Sequence, residues 1–159
     1  METIRTIDRA AADAALDAIA AGGADCFLLR EGSAPLPGQG RGIRPLLQFL
    51  EKEPELLKGA VLTDKIIGKA AAMVAVLGGV REIYALTASE SALAFLEKNG
   101  VPAHARHTVP HIINRTGDGL CPLEQTVLAV EDPAEALPLL KATIARLMAA
   151  NAAQQAKEN

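Results

Sequence analysis

Cys121 is the residue of this sequence best placed to do chemistry. It directly precedes Pro122, where a helix begins, and a glycine-rich run, Thr116-Gly117-Asp118-Gly119-Leu120, leads into it. The unpaired N–H groups and dipole of a helix start favour a thiolate, so Cys121 reads as a nucleophile. Lys69 or Arg115 would then stabilise the negative charge that develops. The same residues also read as plain structure: a small apolar cap, with Glu124 three positions on reaching back to complete a capping box.

A second group is Asp64, Lys65 and Lys69. Read as the start of a helix over 64–79, Thr63 or Asp64 caps it, and Lys65 and Lys69, four apart, share one face. A lysine there, helped by the helix N-terminus, suits a phosphate or carboxylate. The alternative is that Asp64 only caps and the lysines snorkel to water. Gly68 falls inside this helix at a cost of about 1 kcal/mol against alanine, which close approach of a ligand or, the favoured reading, close packing on a strand would offset.

Asn114 and Arg115 precede Cys121 in the same loop. Arg115 can clamp an anion through two parallel bonds or brace the loop against a carboxylate. Asn114 can read a polar group or hold a left-handed turn. Ser89 caps a helix over 90–98 and would lie where strand C-termini and helix N-termini meet. His104, His107 and His111 invite a metal, but His107 and His111 stand about 13 Å apart on an extended chain, too far to share an ion. His104 and Arg106 add positive charge to the other face. Gly38-Gln39-Gly40-Arg41-Gly42 matches neither phosphate-loop pattern. Arg41 and Arg44 beside it suit a pocket mouth or an interface.

The elements that must position these residues follow from spacing. Residues 4–21 are alanine-rich and lack Pro and Gly up to Gly22-Gly23, which predicts a helix. Cys26–Leu29 reads as a strand, with a short second strand near Ala34–Leu36. Residues 43–51 carry leucines at helical spacing, and Ala70–Leu77 is apolar on every face, the mark of a buried helix. Glu82–Leu86 and Val101–Val109 read as strands, the latter an edge because of Pro102. Helices follow over 122–130 and from Asp132-Pro133 on, the last with a seam of Leu137, Leu140, Ile144 and Leu147 and a polar tail, 151–159, expected to fray. Alternating strands and helices predict one three-layer α/β/α domain over 1–159. It comprises an N-terminal helix in 1–23, a core over 25–130 and a C-terminal helix in 132–159.

Three blocks carry a resemblance: D-K-I-I-G-K-A-A-A at 64–72, S-E-S-A at 89–92 and N-R-T-G-D-G-L-C-P-L-E at 114–124. Together they resemble a family of short prokaryotic proteins defined as a domain of unknown function. That family is similar in fold to the cytidine deaminases. The resemblance spans roughly residues 25–130, one domain's worth. It implies a cytidine deaminase-like mixed sheet: a hairpin, a buried helix, a strand, a second helix and further parallel strands. It implies no reaction. Zinc deaminases need a His or Cys with a Glu at one helix start and P-C-x-x-C at the next. This sequence offers Gly68-Lys69-Ala70 and Ser89-Glu90-Ser91, so zinc-dependent deamination is rejected and no metal is expected.

Composition narrows the rest. The 159 residues are 50% hydrophobic with net charge −3, and no apolar run approaches the roughly 20 residues of a membrane span. Aromatics are only 3% with no Trp, which disfavours stacking on single-stranded nucleic acid. A pI near 5.6 disfavours a general polyanion binder. Two distant cysteines, Cys26 and Cys121, and an acidic, polar N-terminus predict reduced thiols in a cytoplasmic protein. Two functions fit: a site for an unknown small molecule, anionic or nucleotide-like, on a metal-independent scaffold without cofactor, or a non-catalytic homo-oligomer joined through the 101–109 edge and the last helix. A homodimer suits both. Lys69 and Cys121 would be catalytic; Asp64, Lys65, Ser89, Asn114, Arg115 and Glu124 would bind.

Overall fold

The computed structural model describes residues 2–40 and 42–158; Arg41 lies outside them. Helix α1 (Arg9–Ala20) starts at Asp8, whose carboxylate accepts from the Ala11 N–H at 2.9 Å. A hairpin follows, β1 (Cys26–Leu29) and β2 (Leu36–Gly38), then α2 (Arg44–Lys52) and a 3-10 turn at Pro54–Leu56. The chain then alternates through β3 (Val61–Ile67), α3 (Lys69–Gly78), β4 (Glu82–Ser89), α4 (Glu90–Lys98) and β5 (Ala103–Val109). It closes with α5 (Pro122–Val127) and α6 (Pro133–Glu158).

The strands form one mixed sheet in the order β2-β1-β3-β4-β5. β1 runs antiparallel to both neighbours, while β3, β4 and β5 run parallel. This is the α/β architecture expected from the alternation of elements. α1 covers one face through Ala12, Leu16 and Ile19, which meet Phe27, Leu29, Val61 and Tyr84. The other helices contribute to a larger core around Leu28, Leu62, Met73, Ile83 and Leu96. In that core Leu140 is buried, and Leu137 and Ile144 pack against it, so most of the α6 seam faces inward. The helix continues to Glu158, past residue 151, where fraying was expected.

One element boundary differs in a way that matters. Asp64, Lys65, Ile66 and Ile67 are the end of β3, not the first turn of a helix, and α3 begins only at Lys69. Gly68 is therefore the helix N-cap, with extended backbone, rather than a residue inside the helix. Lys65 and Lys69 share no helical face. The stretch looked helical because Thr63-Asp64 mimics a capping pair and an alanine-rich run follows without Pro. The β-branched Ile66-Ile67 pair and Gly68 mark the true break.

β5 is an edge strand, as Pro102 just before it implied. Two of its basic residues, both still partly in water, fasten it to its neighbours. The His104 ring stacks on Tyr84 at 4.5 Å and lies 3.0 Å from Glu82. Arg106 pairs with Asp17 at 3.0 Å and Asp13 at 3.6 Å on α1.

Leu62 is fully buried at the centre of the sheet. Leu62→Ala is expected to destabilise the fold by about 2–5 kcal/mol. Urea denaturation should show a lower midpoint with an unchanged slope.

Candidate functional site

The start of α3 has no side-chain cap of its own, because Gly68 has no side chain to offer. The cap comes from 55 residues away. Glu124, on the first turn of α5, places its carboxylate on the helix N-terminus: Oε1 accepts from the Lys69 N–H at 2.7 Å and Oε2 from the Ala70 N–H at 2.9 Å. Glu124 is buried, so these charge-assisted bonds form in a medium of low dielectric. The sequence suggested that Glu124 closes a capping box at Cys121; its carboxylate instead crosses to another helix. Gly68 is required by the same contact. A Cβ there would overlap the Glu124 carboxylate and press on Ile112 at 3.0 Å.

The Lys69 side chain leaves this cap for the α5–α6 junction. Nζ donates to the Leu128 carbonyl at 3.3 Å and to Glu131 Oε1 at 3.1 Å. Lys69 is 8% exposed, whereas the Glu131 side chain is 59% exposed. Glu131 also lies 3.8 Å from Lys98. The hydrogen bond and the charge of Lys69 hold the Glu131 carboxyl below its ordinary range. These residues, with Ser91, Ala94 and Phe95, line a cleft of about 240 Å³. Ser89 does not line it but touches Ser91, which does. It is fully buried, its Oγ accepts from the Ala92 N–H at 3.1 Å, and it lies 3.0 Å from Ser91 Oγ.

The remaining sequence-predicted residues lie elsewhere. Cys121 is half-buried at the joint between loop and α5, its N–H bonded to the Ile112 carbonyl at 3.0 Å; its thiol does not cap the helix. Asn114 is engaged within its own loop: Oδ1 accepts from the Gly117 and Asp118 N–H groups, and Nδ2 donates to Asp118 at 2.9 Å. Arg115 is exposed at the tip of that turn. Lys65 is exposed on β3. Of the eight predicted residues only Lys69 lines the cleft.

Ser91, Lys98 and Glu131 were not foreseen. Lys98 reads from sequence as a last-turn cation, and Glu131 as the residue before the Asp132 cap. Nothing local signals that they meet.

Asp64 belongs to a different environment. It pairs in register with Cys26 on β1 and Ala85 on β4, facing the larger core. Burial pushes its carboxyl up to about 8, although the Lys65 and Ile66 N–H groups favour the ionised form. The Cys26 thiol beside it is pushed up to about 12, first by burial and then by the charges of Asp64 and Asp25.

The zinc that a deaminase-like fold would bring does not fit these residues. Lys69 and the Glu124 carboxylate fill the start of α3, and among the described residues no group of three or more His, Cys, Asp or Glu is arranged to hold a metal ion.

The family model described as TM1506, domain of unknown function DUF1893, matches residues 15–144. The crystal structure of a DUF1893 family protein, TM1506 from Thermotoga maritima, superposes with a TM-score of 0.74 at 21% identity. The match covers 89% of this chain and 95% of that one. No curated protein matches.

Two measurements test this geometry. Glu124→Ala leaves two buried N–H groups unsatisfied, an expected loss on the order of 3 kcal/mol in urea denaturation. Gly68→Ala is expected to destabilise too, and the double variant should lose less than the two losses added, because one contact is removed twice. The second test concerns Asp64. Its folded pKa lies above its ordinary 3.8, so its contribution is fully present below about pH 4 and is lost as pH rises through about 8. Between pH 5 and 8 the wild type should lose stability relative to Asp64→Asn by at most about 1.4 kcal/mol per pH unit.

Proposed function

The chain belongs to the DUF1893 family, and from that premise we propose that it binds a small anion, a carboxylate or a phosphate ester. The site is the cleft between the start of α3, the side of α4 and the α5–α6 junction. The carrying observation is the pairing of buried Lys69 with exposed Glu131. A buried ammonium is costly unless its charge is matched. Here the match comes from a carboxylate that remains mostly in water and is shared with Lys98. A dissolved anion offers Lys69 and Lys98 the same charge, and Glu131 can swing out to be solvated. Glu131 thus acts as the stand-in for the ligand.

The other lining residues suit that role. Ser91 supplies a hydroxyl near the first turn of α4, and Phe95 an apolar wall. At about 240 Å³ the cleft falls below the roughly 300–1,000 Å³ of drug-sized pockets, which favours a compact ligand over a whole nucleotide. The helix N-terminus, where the sequence placed the anion, is already taken by Glu124. The cytidine deaminase-like scaffold is part of the proposal. A hairpin, then a strand, a buried helix, a parallel strand, a second helix and a further parallel strand support it. The reading is of a binding protein. Among the described residues no base is hydrogen-bonded to the Cys121 thiol, and no cation of the cleft reaches it.

Isothermal titration with inorganic phosphate, citrate and 3-phosphoglycerate tests the proposal. At least one should bind. Lys69→Met should abolish that binding, and Glu131→Gln should tighten it about tenfold, since the internal competitor loses its charge. Glu131→Gln that binds no better, or Lys69→Met that binds as well, overturns the reading.

A further inference from the structure

The sheet ends in an open edge beside an unfilled groove. β5 is the outer strand, and among the described residues no backbone hydrogen bond leaves Ala103–Val109 except toward β4. The Ile83 N–H bonds the Pro102 carbonyl, and backbone groups alternate along a strand. The outward N–H and C=O groups therefore belong to Ala103, Ala105, His107 and Val109. At the start of this row lies a groove of about 390 Å³ between α4 and β5. It is lined by Leu93, Val101, Pro102 and Ala103, with Glu97 and Gly100.

We propose that β5 accepts an extended acidic peptide segment of a partner protein as a sixth strand, with an aliphatic side chain seated in that groove. Main-chain bonds would supply the affinity and the groove the specificity, as in strand addition generally. Charge selects the partner. From Lys98 to Gly117 the chain has no Asp or Glu, although the whole molecule carries net charge −3. On the α1 side of the edge, His104 and Arg106 already face Glu82, Asp13 and Asp17. On the α4 side, His107 is exposed and follows Ala103 and Ala105 along the same face. An acidic side chain opposite His107 completes that face.

A second copy of the chain fits poorly. Two-fold antiparallel pairing keeps each side chain on its own face. The central registers then set His104 against Arg106, Arg106 against Arg106, or His107 against His107. No such register brings an acid opposite these residues, because 98–117 contain none, so a second copy lacks the charge complement that an acidic peptide offers.

The test is selection from a phage-displayed library of random twelve-residue peptides on the immobilised full chain, with affinities then measured by fluorescence anisotropy. Enriched peptides should carry an acidic residue two or four positions from an aliphatic one. Ala105→Pro removes an outward N–H and leaves the β4 ladder intact; binding should fall at least tenfold. His107→Pro does the same at an exposed side chain, should Ala105→Pro fail to fold, and folding is checked by circular dichroism. His107→Glu should weaken acidic peptides similarly. No enrichment, enriched peptides without acids, or affinities unchanged in both proline variants overturn the proposal. So does a dimer in sedimentation that Ala105→Pro dissociates, because the occupant is then a second copy.

Discussion

The bidentate contact of Glu124 with the first turn of α3 is the constraint on which the rest of this structure depends. α3 is the central buried helix, apolar on nearly all sides, and its N-terminus points into protein rather than water. Its first N–H groups need acceptors. A serine or aspartate N-cap would supply one from within. Instead the chain places glycine there and brings a carboxylate from α5. The arrangement ties α5, and with it the 110–121 loop, to the C-terminal edge of the parallel strands. The anchor is held by hydrogen bonds to backbone N–H groups, which a side-chain change on α3 other than to proline leaves in place.

That choice decides where other chemistry can occur. In an open α/β fold the mouths of the helices are natural anion sites. Here the mouth of α3 is occupied by a protein carboxylate, and the nearest ammonium, Lys69 Nζ, turns away to the α5–α6 junction, where Glu131 pairs with it. The backbone of Lys69 meets Glu124 and its side chain meets Glu131, so one lysine links an acid on α5 with one at the α5–α6 junction. The first contact is buried and structural, the second largely solvated. Solvation separates their roles: a buried carboxylate with two good bonds stays, and an exposed one held only by ammonium groups at 3.1 and 3.8 Å exchanges with water and ions.

The sequence made the local features legible. Ser89 as the cap of α4, the Gly79 stop of α3, the 26–29 strand and the outer position of β5 are all set by a few adjacent residues with strong positional preferences. The start of α3 was not legible, because Thr63-Asp64 satisfies the sequence pattern of a cap while its backbone is extended. A buried aspartate in a central strand is rare enough that pattern reading places it at a helix end. The candidate site was legible only through Lys69. Glu124 and Glu131 lie 55 and 62 residues from it, and no periodicity connects residues that meet only after the sheet has formed. The two expectations for Glu124 differ by one geometric fact, whether its side chain turns back along α5 or away from it. Gly68, which looked like a weakness in a helix, is the residue that leaves room for it to turn away.

Asp64 shows how the same fold tolerates a polar group that no partner neutralises. Its register row runs Gly38, Cys26, Asp64, Ala85 and Ala105 across all five strands. The residues flanking it are small: Cys26 on one side, alanines on the other, and beyond Cys26 a glycine whose Cβ would collide with the Cys26 sulfur and crowd Pro45. Such a row leaves the carboxyl little bulk to push it outward and no lysine or arginine to ionise it. The cheapest state is then the protonated one, which is why its pKa rises to about 8. The neighbouring thiol responds to the same burial and stays protonated too. At physiological pH the thiol is therefore neutral and the carboxyl mostly so, and the sheet holds them much as it holds apolar residues. The charge that would make Asp64 a ligand or a base is what burial removes. This separates it from Lys69, whose burial comes with two acids and an open cleft.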